Sequence, residues 1–487
     1  MAYYLLFKNQ PSARRLMASV PRLSRYTASN RMTDRDVFIR WGMMEESDPA
    51  HGTVLNASEA QRRIASRAQM AKFLRRVGVR VAPRVNRDGL PTTFSRQYRI
   101  AIFDFVPIGC FRSDSGVDWT SSRISRIHES FEEVPLDSDG QTRRATYLAT
   151  RTLHALGLDF GLVSIGVSDR GFLQVLDVSA APILEGRLLE LYRDAMQRFV
   201  EREEEARRLG PPAVTLGADV ELMLRNAQRK MVLASKYFPR KGRIGCDDRS
   251  VHFDGRRLPL MELRPAPDSS PDGLVLNLRA LMQEASEVIN RPGVEWRAGS
   301  APFRPYCTGG HIHVSGVPLG ARLVRALDHY VGLPLMAVED PVRAQWRRPK
   351  YGFLGDVRQK AHGGFEYRTP ASFVCSQAAT RAAFHLAHMV ARHYRELPLY
   401  DIYSPQLQFA FYHADREALR PILLRNIDAI RAHPEYAQHQ DAIEPLFAMI
   451  ERGETWDETV DVRQEWGVPL RRAQGPKRAN VSAARSV

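Results

Sequence analysis

Four stretches of the chain place ionisable side chains two residues apart around a nonpolar or aromatic residue: Asp219-Val220-Glu221, Glu262-Leu263-Arg264, His311-Ile312-His313 and Glu366-Tyr367-Arg368. Side chains alternate between the two faces of a β-strand, so on strands each pair would share one face while its middle residue enters a core. On strands of one sheet the four pairs would form a floor of carboxylates, imidazoles and guanidiniums. Magnesium prefers oxygen ligands and commonly sits between carboxylates and substrate phosphates, whereas an imidazole in the set suits manganese better. Guanidinium groups match phosphate or carboxylate oxygens bidentately. Such a floor is suited to phosphoryl transfer, where the protein positions the reactants and neutralises charge. One Glu-x-Arg pair alone reads as a cross-strand salt bridge; the recurrence of four pairs makes the functional reading.

The elements that must carry these pairs are legible in outline. Val214–Leu222 reads as a strand, followed by a basic loop with Lys236, Arg240, Lys241 and Arg243, then Gly245-Cys246-Asp247-Asp248 and a second strand ended by Pro265. Leu274–Ile289 reads as a helix on the outer side of the sheet. Glycines on both sides of His311 and His313 allow close approach of backbone or ligand. A helix from about Arg322 to Val338 leads to a basic, glycine-containing loop, Arg347 to Arg358, which reads as a lid over phosphates. Phe365–Pro370 is the last strand, and helices are expected at 375–395, 415–432 and 441–451.

Upstream, Tyr3–Phe7 and Val37–Trp41 read as strands. Asn56 with Glu59 three residues on reads as a capping box, opening a helix carried by Ile64, Ala68, Ala71, Leu74 and Val77 and stopped by Gly78. Asp177 reads as a solvated strand-end carboxylate, Arg96 and Arg99 as surface charges, and His128 and His154 as structural. Leu188–Leu209 reads as a helix with a solvated charged face, broken by Gly210-Pro211-Pro212.

At 487 residues the chain exceeds one ordinary core. Its composition is that of a globular protein, 44% hydrophobic and 26% charged. No apolar run approaches the roughly 20 residues that span a bilayer. The start lacks the basic segment of a secretory signal, so a cytoplasmic protein is expected. Lys+Arg 70 against Asp+Glu 55 leaves a net charge of +15, but no nucleic-acid-binding signature accompanies it and an anionic substrate such as ATP accounts for part of it. Cys110, Cys246, Cys307 and Cys375 form no CxxC pair, which excludes zinc ribbons and redox dithiols.

The strings GADVEL, MELRP, GGHIHVSG, YGFLGDVR and FEYRTP, in that order between Val214 and Ser376, resemble the carboxylate-amine (COOH-NH2) ligases of the glutamine synthetase and glutamate-cysteine ligase superfamily, in particular the phage phiEco32-like type 2 amidoligases. The first 200 residues are similar to an ATP-grasp domain at Arg40-Trp41-Gly42, Val54-Leu55-Asn56, Arg96–Ile100, Ala155–Gly161 and Val175–Pro182. They depart from it where magnesium is normally held, with Asp177, Ser179 and Ser164 at the ligand positions. Serine hydroxyls are weak magnesium ligands, so this part reads as degenerate. The resemblance implies an α+β protein: a degenerate α/β ATP-grasp-like domain (1–210), an antiparallel-sheet, glutamine-synthetase-like amidoligase domain (211–465) and a basic flexible tail (466–487).

By the same resemblance Glu221, Glu262, Glu366 and one histidine, His311 before His313, are metal ligands, with Asp219 a helper. Arg368 meets the transferred phosphate, with Arg264 a second catalytic arginine, and Arg348, Tyr351 and Arg358 lie near the nucleotide or acyl phosphate. The implied activity is ATP-dependent joining of a small-molecule or peptide carboxylate to an amine through an acyl phosphate, with Mg2+ or Mn2+. No membrane or specific nucleic-acid partner is implied, and a homo-oligomer is compatible with the reading. The alternatives are a noncatalytic nucleotide- or peptide-binding protein and a metallohydrolase built on the His-x-His strand.

Overall fold

The computed structural model describes residues 1–469 except 28–29, 31, 45–46, 85–91, 115–116, 119–130, 290, 292 and 362. His128, residues 85–91 of the connection after Pro83 and the tail from 470 onward therefore lie outside the described residues.

Helices and largely antiparallel sheets combine in an α+β architecture. The first strands, Tyr3–Leu6, Leu23–Arg25, Val37–Arg40 and Thr53–Leu55, pair in parallel. A five-stranded antiparallel sheet follows, with Arg96–Phe103 at its centre between Phe160–Val167 and Val106–Ser113. Trp41 stacks on Phe160 with ring centroids 5.2 Å apart and anchors the core between the two sheets.

Eight strands make the sheet that carries the four pairs: β1 Thr215–Arg225, β2 Met231–Val232, β3 Ile244–Cys246, β4 Leu260–Leu263, β5 Glu295–Arg297, β6 Gly310–Ser315, β7 Val357–Gln359 and β8 Phe365–Tyr367. The main order is β3-β4-β1-β6-β8-β7, with β2 and β5 pairing on the far end of β1, and every pairing is antiparallel. Alternation makes the sheet two-faced. Leu216, Ala218, Val220, Leu222, Leu263, Ile312, Val314, Phe365 and Tyr367 are buried on the apolar face, where helices Pro271–Val288 and Gln377–His393 pack against β1. Each fully buried aliphatic or aromatic side chain there contributes about 1.5–3 kcal/mol.

Several local readings change. Asn56 is not a helix cap: it sits at φ 55°, accepts from the Asp159 N–H (2.7 Å) and donates to the Phe160 carbonyl (3.0 Å), tying two segments together. The helix begins at Ser58 instead and breaks at Ser66, whose side chain caps the next helix, Arg67–Arg76. Asp177 and Arg99 are buried rather than solvated: they flank Ser164 on the two neighbouring strands of the five-stranded sheet, and Arg99 lies over the Phe131 ring at 4.1 Å. The helix expected at 322–338 is present but passes through a π turn at Asp328–Gly332. Pro334 has no N–H to give to the preceding turn, which explains the slip.

That π turn places Asp328 at a buried crossing. Its carboxylate lies 2.7 Å from His154 Nε2, accepts from the hydroxyls of Tyr367 (2.9 Å) and Tyr403 (3.0 Å), and accepts from the Gly355 N–H (3.0 Å). His154 belongs to the helix Gly140–Leu156, so one carboxylate joins the amino-terminal part to the large sheet. Leaving buried donors without the acceptor they share costs about 1–3 kcal/mol per group, and at least about 3 kcal/mol for this set. Asp328→Ala is expected to lose that much, read as a lower urea midpoint with an unchanged slope.

Candidate active site

The strand register assembles the site. Glu221 on β1 faces Glu262 on β4, and Asp219 faces His311 on β6. His313 faces Glu366 on β8, and Glu366 faces Arg358 on β7. Because residues directly opposite in an antiparallel pair share a face, all of these side chains, with Arg264 and Arg368, emerge on the side away from the helices. All of them except His313 and Arg264 line the floor of a cleft of about 270 Å³, walled by Arg249, Arg347, Tyr351 and Asp356.

Each carboxylate has a cationic neighbour. Glu221 accepts from the Gly309 N–H (2.8 Å) and from Arg249 Nη2 (2.5 Å). Arg249 also holds Asp247 (2.5 Å) and donates to the Cys307 carbonyl (2.8 Å). Burial weakens its hold on the proton, but the charges of Glu221 and Asp247 outweigh this and keep it firmly protonated. Glu366 lies beside Lys360 Nζ (2.5 Å), Arg368 Nε (3.1 Å) and Arg358 Nη1 (3.6 Å). Glu262 pairs with Arg264, yet burial and the charge of Asp219 push its carboxyl up to about 8.

Asp219 behaves in the opposite way. Burial raises its carboxyl, but His311 Nδ1 at 2.6 Å and His313 Nε2 at 3.3 Å hold it well below the usual range. Burial in turn lowers the His311 imidazole, and the Asp219 charge more than reverses that. For Glu366, burial raises the carboxyl while His311, Arg358 and Lys360 bring it below its ordinary value.

The donor set fits a divalent cation. One atom each from Asp219, His313 and Glu366 lies within 4.8 Å of the other two, and Glu221 and Glu262 add oxygens along the same floor. His311 lines the cleft, but its Nδ1 is committed to Asp219, with Glu366 3.3 Å away.

Three expected site residues are not in the cleft lining: His313, which reaches Asp219 at 3.3 Å, Arg348 and Arg264. Arg348 is turned away from the cleft into a buried pair with Glu339 (2.6 and 3.0 Å) beneath Phe411. A guanidinium one residue along a helix end points to a different side from its neighbour, and Arg347 takes the cleft position, clamping the carbonyls of Thr369 and Pro370 at 2.7 Å each. Arg264 is drawn aside by Glu262 and the Gly242 carbonyl (2.9 Å), so it positions a carboxylate rather than facing the cleft. Tyr351 and Arg358 do line the cleft. The segment from Gly352 to Val357 is buried and bonded to Asp328 through Gly355, so it forms a fixed wall instead of a lid.

Other contributors carried no pattern in the sequence. Arg249 lies two residues after Asp247 in an irregular segment, and Lys360 acts across a turn. Asp356 holds Arg368 (3.7 Å) and accepts from the Tyr147 hydroxyl (2.5 Å). Tyr147 comes from the helix Gly140–Leu156, some 200 residues earlier, so the amino-terminal part supports the cleft's arginine from behind.

Residues 216–468, just over half of the chain, match the phage phiEco32-like COOH.NH2 ligase-type 2 family. The chain belongs to that family. Among solved structures it is similar to a bifunctional glutathione synthetase from Pasteurella multocida (11% identity, TM-score 0.32), covering 56% of this chain and 53% of the synthetase. It is also similar to macrocyclase MdnC bound with precursor peptide MdnA from Microcystis aeruginosa MRC (10%, TM-score 0.28; 42% of this chain, 100% of that one) and to a glutamine synthase homolog (15%, TM-score 0.25; 55% and 73%). The chain thus spans about half the length of the synthetase, and likenesses at these scores carry no functional argument. No curated protein matches it.

Arg249→Leu tests the charge compensation. Asp247 is raised by burial and lowered further by Arg249, so the pair's stability is present above the unfolded carboxylate range and fades as pH falls through it. The variant is expected to lose about 3 kcal/mol at pH 7, a loss that starts to shrink at about pH 4 and is gone only once pH falls below the lowered folded value of Asp247, followed by urea unfolding from pH 7 downward.

Proposed function

We propose that the protein is an ATP-dependent carboxylate-amine ligase that forms an amide or peptide-like bond through an acyl phosphate. The observation that supports this reading is the shared face of Asp219, Glu221, Glu262 and Glu366, bordered by Arg358 and Arg368, in a chain whose family is one of COOH.NH2 ligases. Residues 1–210 act in it as an ATP-grasp-like part without phosphoryl chemistry of its own, and residues 211–465 as the working ligase.

In the first step an oxygen of the substrate carboxylate attacks the terminal phosphorus of ATP, the bond to ADP breaks, and an acyl phosphate results. An amine then attacks the acyl carbon, the bond to phosphate breaks, and the amine loses a proton as the amide forms. Asp219, His313 or His311, Glu221, Glu262 and Glu366 would hold Mg2+ or Mn2+, which would supply charge neutralisation to the transferring phosphoryl group. Arg368 and Arg358 face the same oxygens from the side of Glu366. Arg347 and Asp356 keep the strand ends and Arg368 in place, so the charge that develops meets groups already oriented. The buried wall from Gly352 to Val357 limits water, which would hydrolyse the activated acid.

Incubation of the protein with ATP, Mn2+ and a cell extract should yield a dehydrated conjugate by mass spectrometry together with ADP. Glu366→Ala and Glu221→Ala are each expected to lower ATP turnover by about 10²–10³-fold or more, while Asp177→Asn stays near wild type. Loss in Asp177→Asn with retention in Glu366→Ala would assign the reaction to the other part of the chain.

Metal binding provides a second check. Glu262, at about 8, must shed its proton to ligate. The stabilisation by Mn2+ should therefore grow from pH 6.5 to pH 8.5, read as a larger thermal shift, and Glu262→Gln should flatten that dependence.

A further inference from the structure

A second group of ligating side chains gathers outside the cleft, where the helix Gln377–His393 ends against the turn between helices Arg416–Arg431 and Tyr436–Arg452. His393 closes the first helix, Glu396 follows it, and His433 sits in the facing turn. One donor atom from each lies within 4.8 Å of the other two. Glu396 Oε2 is 3.6 Å from His393 Nδ1 and 3.2 Å from His433 Nε2. A tetrahedral cation with bonds of roughly 2.0–2.1 Å has donor-to-donor edges of roughly 3.3–3.4 Å, so the two distances bracket that geometry.

The surroundings of His393 point the same way. It is only 5% exposed, and neither ring nitrogen has a well-directed hydrogen-bond partner among the described residues. Its Nε2 lies 2.8 Å from Glu435 Oε2, and Arg392 holds the other oxygen of Glu435 at 3.0 Å. A carboxylate behind an imidazole orients the ring, an arrangement found behind metal-ligating histidines. Its Nδ1 side faces the Glu396 carboxylate 3.6 Å away, and a cation between them would give both a partner. The Glu435 N–H lies 3.2 Å from His433 Nδ1. Ligation through Nε2 moves the ring proton to Nδ1, and this long hydrogen bond is the one given up.

We infer that His393, Glu396 and His433 form a site for a divalent transition-metal cation of the zinc class, distinct from the cleft. Two imidazoles and one carboxylate favour Zn2+ or Co2+ over magnesium. The Glu396 side chain is 64% exposed, so water completes the coordination. The cation ties the end of one helix to the turn joining two others and serves as a structural clip for the carboxy-terminal helices.

Co2+ titration of the full-length protein, followed by visible absorption, separates the two sites, because a tetrahedral N2O environment absorbs far more strongly than an oxygen-rich octahedral one. Wild type should show a strong band saturating at one equivalent and abolished by competing Zn2+. His433→Gln should lose the band, Glu435→Gln should weaken binding about 10–100-fold, and Glu366→Gln should leave the band intact. Glu396→Gln changes an exposed side chain that the fold does not need, and should weaken binding at least about tenfold. Absence of a band at one equivalent overturns the assignment. So does a band that survives both His433→Gln and Glu396→Gln, or one that follows Glu366→Gln instead.

Discussion

Four carboxylates on one face of a sheet repel one another, and burying them removes the water that would screen the repulsion. The large sheet is stable because each is compensated within the same face: Glu221 by Arg249, Glu262 by Arg264, Glu366 by Lys360 and Arg368, and Asp219 by two imidazoles. Compensation is incomplete at Glu262, whose carboxyl is left near neutrality. A floor so balanced is held open for added positive charge. That property, more than any single residue, is what a metal-dependent ligase would need from its scaffold.

Register is the geometric side of the same constraint. A shift of one residue between β1 and β6 would send Asp219 and Glu221 into the apolar layer and bring Val220 to the cleft. Leu216, Val220 and Leu222 against the helices on one side, and the paired charges on the other, therefore specify one pairing. Asp328 extends this order beyond the sheet, since it holds His154, Tyr367, Tyr403 and Gly355 at once. Through His154 and Tyr147 the amino-terminal part supports the wall and arginine of the cleft.

Much of the floor was legible because its signal is local. Two-residue spacing names the residues that share a face, and turn residues such as Pro265 and Gly316 mark where strands stop. Helices at 271–288, 377–393 and 416–431 likewise follow from periodicity. The misreadings were places where a side chain has equally good local and distant partners. Asn56 has the spacing of a cap but bonds to Asp159 and Phe160, a hundred residues away. Arg347 and Arg348 are indistinguishable as adjacent arginines until Thr369, Pro370 and Glu339 take opposite sides of them.

Sequence alone determined which residue types alternate, which pairs share a face, and that the chain resembles a carboxylate-amine ligase. These are properties of spacing and composition, which the backbone's two-residue period converts directly into direction. Only the tertiary structure decided the order of strands across the sheet, the recruitment of Arg249, Lys360, Asp356 and Tyr147, and the burial of Arg348. The physical reason is that charge compensation acts through space with no preferred separation along the chain, so the partner of a buried carboxylate is known only once the fold has brought it within about 3 Å.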